Sequence, residues 1–252
     1  MADSAPAPDT CLVCAAPAKL RCSACAAKSA ANLSFCSTLC QKFAWPGHRL
    51  VCGENAHPFR MKPFSQSEAE TTLKILAATP ADQDERQLQQ EMKRVIARIA
   101  GPALASSESP EAVVVRFLVG TDDVIYDSAV TTTNGQAFVH LARSCRMRWS
   151  GPLGRFPEED RIIAWYATHH SYLTTSIQPF ATGSEWHSKF CHILMVLSIS
   201  DLVDQNDRPA LMHTLARPSV VSQVLHDHLA KATLPDDKKI ARAAKERLSE
   251  YA

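Results

Sequence analysis

Eight metal-competent side chains fall between residues 11 and 52, in four close pairs. The pairs are Cys11-x2-Cys14, Cys22-x2-Cys25, Cys36-x3-Cys40 and His48-x3-Cys52, separated by seven, ten and seven residues. A Cys-x2-Cys turn aims both sulfurs at one point, and an x3 pair sets both ligands on one face of a helical turn. Eight soft or borderline ligands make two tetrahedral sets, the coordination that structural zinc prefers. Spacing alone leaves open which pair joins which. Two plainer readings compete. Buried cysteines can simply pack, but that accounts for one cysteine at a time and not for four regular pairs. Each Cys-x2-Cys alone resembles a redox dithiol, and the two later pairs argue against that.

The rest of the composition is ordinary, which makes the cluster stand apart. The chain has 252 residues and nine cysteines, with 46% apolar and 21% charged residues, as in a soluble globular protein of one or two domains. A net charge of +1 gives no bulk argument for nucleic acid or anionic membrane. Apolar runs such as Ile193 to Leu197 are far short of the roughly 18 residues of a spanning helix. The segment Met1 to Asp9 lacks the basic start and apolar stretch of a secretory signal. A cytoplasmic or nuclear setting is therefore expected. Disulfides are disfavoured in such reducing compartments, so clustered cysteines there point to metal.

The run from Phe35 to Cys52 carries an aromatic residue, Cys-x3-Cys-Gln, a tryptophan and His-x3-Cys, with Phe35, Gln41, Trp45 and His48 at the marked positions. This resembles the second half of a MYND-type zinc finger, and with the two earlier pairs the resemblance covers residues 11–52. It implies interleaved ligation: one zinc ion on Cys11, Cys14, Cys36 and Cys40, the other on Cys22, Cys25, His48 and Cys52. It also implies a shallow groove for short proline-rich peptides at Gln41 and Trp45. The chemistry suits that role, because an exposed indole stacks on proline rings and a glutamine holds peptide backbone groups. Two positions depart from the pattern. The gap between Cys25 and Cys36 is long, so the loop Ala26 to Ser34 is expected to bulge outward. Ala44 stands where an acidic residue often precedes the tryptophan.

A finger this small cannot fold on its apolar core alone. Structural zinc contributes about 10–16 kcal/mol in finger peptides at neutral pH, so metal binding is effectively folding. The charge of the loaded finger argues against reading nucleic acid. Residues 1 to 60 hold six Lys or Arg and three Asp or Glu, and seven thiolates with two zinc dications bring the module close to neutral. Nucleic-acid modules are distinctly basic.

The remainder reads as mainly helical. Expected helices span 68–76, 82–99, 136–149, 157–177, 185–203, 208–217, 219–231 and 235–251. Ile162, Tyr166, Leu173 and Ile177 lie on one face, and Phe190 to Leu202 is apolar nearly all round, which marks the most buried helix. Val113 to Val119 and Val124 to Tyr126 are candidate strands of one short β-hairpin. The last helix alternates acids and bases and reads as exposed. Arg143, Arg146, Arg148, Arg155 and Arg161 read as a solvated basic face. Cys145 and Cys191 read as core cysteines. No His-Glu-x-x-His, Gly-x-Ser-x-Gly, Walker or dinucleotide pattern occurs, and the Asn-His pair of the lysine methyltransferases that carry such fingers is missing.

The expected architecture is a flexible tail at 1–9, an interleaved two-zinc finger at 10–53, a connector at 54–66 and a mainly helical domain at 67–252. The expected role is a regulatory protein–protein interaction adaptor without membrane partners. An enzyme with its site in the helical domain is the alternative, and nucleic-acid binding ranks third.

Overall fold

The computed structural model describes residues 9–61, 63–80, 83, 86, 89, 90, 93, 94, 109–119, 143, 158–174, 184–204 and 218–249. The chain forms two compact units, and they do not follow chain order. One comprises Met1–Arg60 with Thr182–Ala252, and the other Met61–Ala181. The finger and the last helices thus belong together, where the sequence suggested a finger followed by one helical domain.

In the first unit, strand β1 (Leu20–Arg21) pairs antiparallel with β2 (Ser34–Phe35), with Leu20 opposite Phe35. This is the one sheet among the described residues. Helix α1 (Ser23–Lys28) fills part of the long gap between Cys25 and Cys36. That segment does not bulge outward as a whole, because Ala31 and Leu33 are buried and draw it back onto the finger. Helix α2 (Thr38–His48) starts at Ser37, whose side chain accepts the Cys40 N–H at 3.3 Å and satisfies one of the first-turn donors. A 3-10 turn follows at Gly53–Asn55.

The α2 stretch has two unlike faces. Cys40, Phe43, Ala44, Gly47 and His48 are buried, whereas Lys42, Trp45 and Arg49, spaced by three and four, are exposed. The buried face packs on the long helix α6 (Glu185–Asp204). Gly47 permits the approach: a β-carbon there would lie 2.5 Å from Met195 Cγ and 2.9 Å from Ile199 Cδ1. Ala44, one turn earlier on the same face, is buried too. The residue that departs from the family pattern therefore serves the packing of this chain.

Every residue from Phe190 to Ser200 is buried, as expected for the central helix, and Cys191 is core. Helix α7 (Pro218–Leu229) lies on α6, and α8 (Pro235–Ser249) lies on α7. The α8 face is not wholly exposed: Asp236 and Lys239 pair at the surface, but Asp237 is fully buried. Its Oδ1 accepts the Ser184 hydroxyl at 2.8 Å, and Ser184 Oγ in turn accepts the His187 N–H at 3.0 Å at the start of α6. The aspartate is buried because it holds the cap of another helix.

In the second unit, α3 (Gln66–Ala77) begins with a reciprocal cap. Ser65 Oγ accepts the Glu68 N–H, and Glu68 Oε2 accepts the Ser65 N–H at 2.7 Å. Helix α4 (Pro110–Val119) occupies the first candidate strand, so that expectation is corrected. Ser109 accepts the Ala112 N–H at 3.2 Å, Pro110 suits the first helical position, and packing against α3 outweighs the small helical penalty of the valines. Val124 to Tyr126 lie outside the described residues.

Helix α5 (Glu158–Thr174) buries Ile162, Tyr166 and Leu173 as its pattern required, while Ile177 lies outside the described residues. Arg143 does not belong to a solvated face. It is buried, donates to the Pro63 carbonyl at 3.2 Å and lies 4.2 Å from the Phe64 ring centroid. Arg146, Arg148, Arg155 and Cys145 lie outside the described residues, as do the segments expected as helices at 136–142, 144–149 and 208–217. Of the expected helix at 82–99, Gln83, Arg86, Gln89, Gln90, Lys93 and Arg94 are described and helical. Among the described residues, no helix is long and apolar enough to cross a membrane.

Candidate metal centre

The antiparallel ladder dictates how the ligands divide. Cys22 follows directly after β1 and Cys36 directly after β2. The two strands run in opposite directions, so these cysteines leave the ladder at opposite ends. Helix α2 repeats the division. Cys40 lies in its first turn and His48 in its last, about 12 Å apart along the axis at about 1.5 Å per residue. One ion cannot take both, and the two sites must interleave along the chain.

The geometry shows that they do. Cys11, Cys14, Cys36 and Cys40 converge, and so do Cys22, Cys25, His48 and Cys52, each set with all its ligand atoms within 4.8 Å of one another. In the first set, Cys14 Sγ lies 3.5 Å from Cys36 Sγ and 3.9 Å from Cys40 Sγ, and Cys36 and Cys40 are 3.5 Å apart. In the second, Cys52 Sγ is 3.7 Å from both Cys22 and Cys25, while His48 Nε2 is 3.3 Å from Cys22 Sγ and 3.5 Å from Cys25 Sγ. A tetrahedron with Zn–S bonds of about 2.3 Å has S–S edges of about 3.8 Å, and its S–N edges are slightly shorter. Both cages fit zinc. All the described cysteines are free thiols and none forms a disulfide.

The electrostatics also call for a dication. Burial pushes the Cys14 thiol up to about 11, and burial raises Cys25, Cys40 and Cys52 as well. For Cys36 burial acts upward too, but its contacts with Ser37, Cys40, Cys14 and Cys11 outweigh it and the net shift is downward. Sulfurs held this closely, with little water, become thiolates together only around a positive charge. Backbone donors supplement the metal's pull: Val13 N–H points to Cys11 Sγ at 3.5 Å and Gly53 N–H to Cys25 Sγ at 3.3 Å. Gly53 makes its contact with φ at 86°, a left-handed conformation that glycine adopts without strain. Burial lowers His48 to about 4, so its imidazole is neutral and ready to ligate through Nε2.

Residues 11–52 match the family model described as the MYND finger. These residues form a MYND finger with two structural zinc sites. All eight ligands inferred from the sequence fall into the two sets that the family resemblance implied. No curated protein and no solved structure matches the chain at a significant level. The MYND finger is a module generally used in protein–protein interaction.

The remaining positions singled out in the sequence lie on α2. Trp45 is 47% exposed, with an edge-on contact to the His48 ring at 6.0 Å, and Gln41 is half-buried one turn before it. Sequence reasoning missed the residues around the second zinc site that come from outside the finger, namely Ser188 and His192 of α6. The available signal was faint: a histidine within the mostly apolar stretch Phe190 to Leu202, which usually means only a satisfied core residue.

Proposed function

We propose that the chain is an adaptor in the cytosol or nucleus, whose MYND finger docks a short proline-rich segment of a partner protein across Gln41 and Trp45. The observation that carries this reading is the exposure of Trp45 on a helix whose opposite face is fully committed to packing. An indole of that size left in water costs apolar hydration, and a proline-rich segment relieves it at low ordering entropy because its extended helix is preformed. Gln41, on the adjoining stripe of α2, offers both a donor and an acceptor to the extended backbone of such a segment. Zinc in this reading is structural: it holds α2 in place and takes no part in a reaction.

The test is calorimetric titration of a proline-rich peptide against the zinc-loaded full chain, in parallel with Trp45→Ala and Gln41→Ala. Trp45→Ala is expected to weaken binding by tenfold or more with two zinc ions retained per chain. Equal affinities for the wild type and Trp45→Ala would remove the groove reading.

A further inference from the structure

The second zinc site is walled by residues that lie far along the chain. The His192 ring of α6 stands 5.5 Å from the His48 ring, and Phe59 meets His192 edge-on at 5.0 Å. His192 Nε2 donates to the Ala56 carbonyl at 3.2 Å, across 136 residues of sequence. One turn earlier, Ser188 Oγ accepts the Phe59 N–H at 3.1 Å and is hydrogen-bonded to His57 Nδ1 at 2.9 Å. The segment that follows the ligand Cys52 is therefore fixed at Ala56, His57 and Phe59 by two side chains of α6. The residue before His48 also faces this helix closely, since a β-carbon on Gly47 would meet Met195 and Ile199.

Among the described residues, the contacts that hold the first site's ligands Cys11, Cys14, Cys36 and Cys40 come from the finger itself: the ladder, the Cys11–Cys14 turn and the start of α2. His48 Nδ1 is buried and meets no hydrogen-bond partner among the described residues, so its ring cannot be oriented in the usual way, by a hydrogen bond to its second nitrogen. Packing must do that work, and the ring that α6 adds to it, beside Trp45 of the finger, is His192.

We propose that His192 and Ser188 are positioning residues for the zinc ion held by Cys22, Cys25, His48 and Cys52, so that this MYND finger is completed by α6 and its two metal sites differ in how they depend on the rest of the chain. His192 acts on the ion through two ligands: its ring limits the tilt of the His48 imidazole, and its bond to Ala56 fixes the chain leaving Cys52. Ser188 acts on the Cys52 side alone. Outer residues that orient metal ligands typically change affinity by on the order of 10–100-fold when removed, and His192→Ala falls in that class.

The experiment is zinc release from the full chain, loaded with two ions, into a chromogenic chelator. Each variant is also made in a Cys11→Ser background so that the second site is read alone. In His192→Ala one ion per chain is expected to leave at least tenfold faster while the other keeps the wild-type rate. The cobalt-loaded protein is expected to lose the absorption of its three-sulfur, one-nitrogen site first. His192→Gln, whose amide can still donate to Ala56, is expected to recover part of the loss. Ser188→Ala, a smaller change that spares the core, is expected to speed the same ion to a lesser degree. Equal acceleration of both ions would show general destabilisation and overturn the proposal, and so would unchanged release in both His192→Ala and Ser188→Ala.

Discussion

Trp186 and His228 exchange two hydrogen bonds: the indole Nε1 donates to the His228 carbonyl at 3.0 Å, and His228 Nε2 donates to the Trp186 carbonyl at 2.9 Å. Their rings stack at 5.1 Å with 10° between the planes. The pair fastens α6 to α7 and fixes His228 as the neutral Nε2–H tautomer. Burial is the main reason its pKa falls to about 4, with Lys189 and Lys231 adding to the fall and the Trp186 carbonyl and Asp237 opposing it.

The sign of the pH effect follows. A histidine lowered from about 6.5 in the unfolded chain to about 4 in the folded one takes up its proton more readily when unfolded. At pH 7 both states are neutral and nothing is lost. As pH falls from about 6.5 toward 4, the folded state loses on the order of 3 kcal/mol through this residue. Urea denaturation of the wild type and His228→Gln between pH 7 and 4 checks it. The stability difference between them is expected to shift in favour of the variant as pH falls, and a pH-independent difference would refute it. Comparing the two chains cancels the acid loss of zinc that both share.

Zinc removal is expected to reach beyond the finger. With α2 seated on α6, stripping both ions takes away about 10–16 kcal/mol of metal binding energy per ion and frees the α6 face at Met195 and Ile199. Hydrogen exchange with and without a strong chelator is the measurement. Amides of α6 are expected to lose protection along with those of α2. Full protection of α6 in the metal-free chain would contradict the packing described.

Gly47→Ala places a methyl group on Met195 and Ile199. The better helix propensity of alanine, worth about 1 kcal/mol, is expected to be outweighed by overpacking of about 1–3 kcal/mol. A double-mutant cycle with Met195→Ala tests the contact directly. Met195→Ala alone is expected to cost about 2–5 kcal/mol, and the double variant less than the sum of the two singles. Additive losses would mean that the two residues do not meet.

Asp237→Ala removes the acceptor of the Ser184 hydroxyl and unsettles the cap of α6. A loss of about 1–3 kcal/mol is expected in thermal or urea unfolding, and a smaller one for Asp237→Asn, which keeps a carbonyl oxygen for Ser184. A surface role would leave both variants within about 0.5 kcal/mol of the wild type.

What the sequence determined by itself is short-range. Four ligand pairs at turn and helix spacing specify two metal sets, because the geometry that brings Cys11 to Cys14 or Cys36 to Cys40 is written within a few residues. The apolar run of α6 and the stripe of α5 are legible for the same reason: burial on one face or all round shows as period. The tertiary structure decided what each face meets. Val113 to Val119 looks like a strand residue by residue, but propensities differ by less than about 1 kcal/mol and yield to the Ser109 cap and the contact with α3. Asp237 and Arg143 look like surface charges until Ser184 and the Pro63 carbonyl are brought to them. Only the fold could show that His192 stands against His48, since a contact across so much chain leaves no local pattern, and its energy arises from burial that exists only once α2 and α6 have closed on each other.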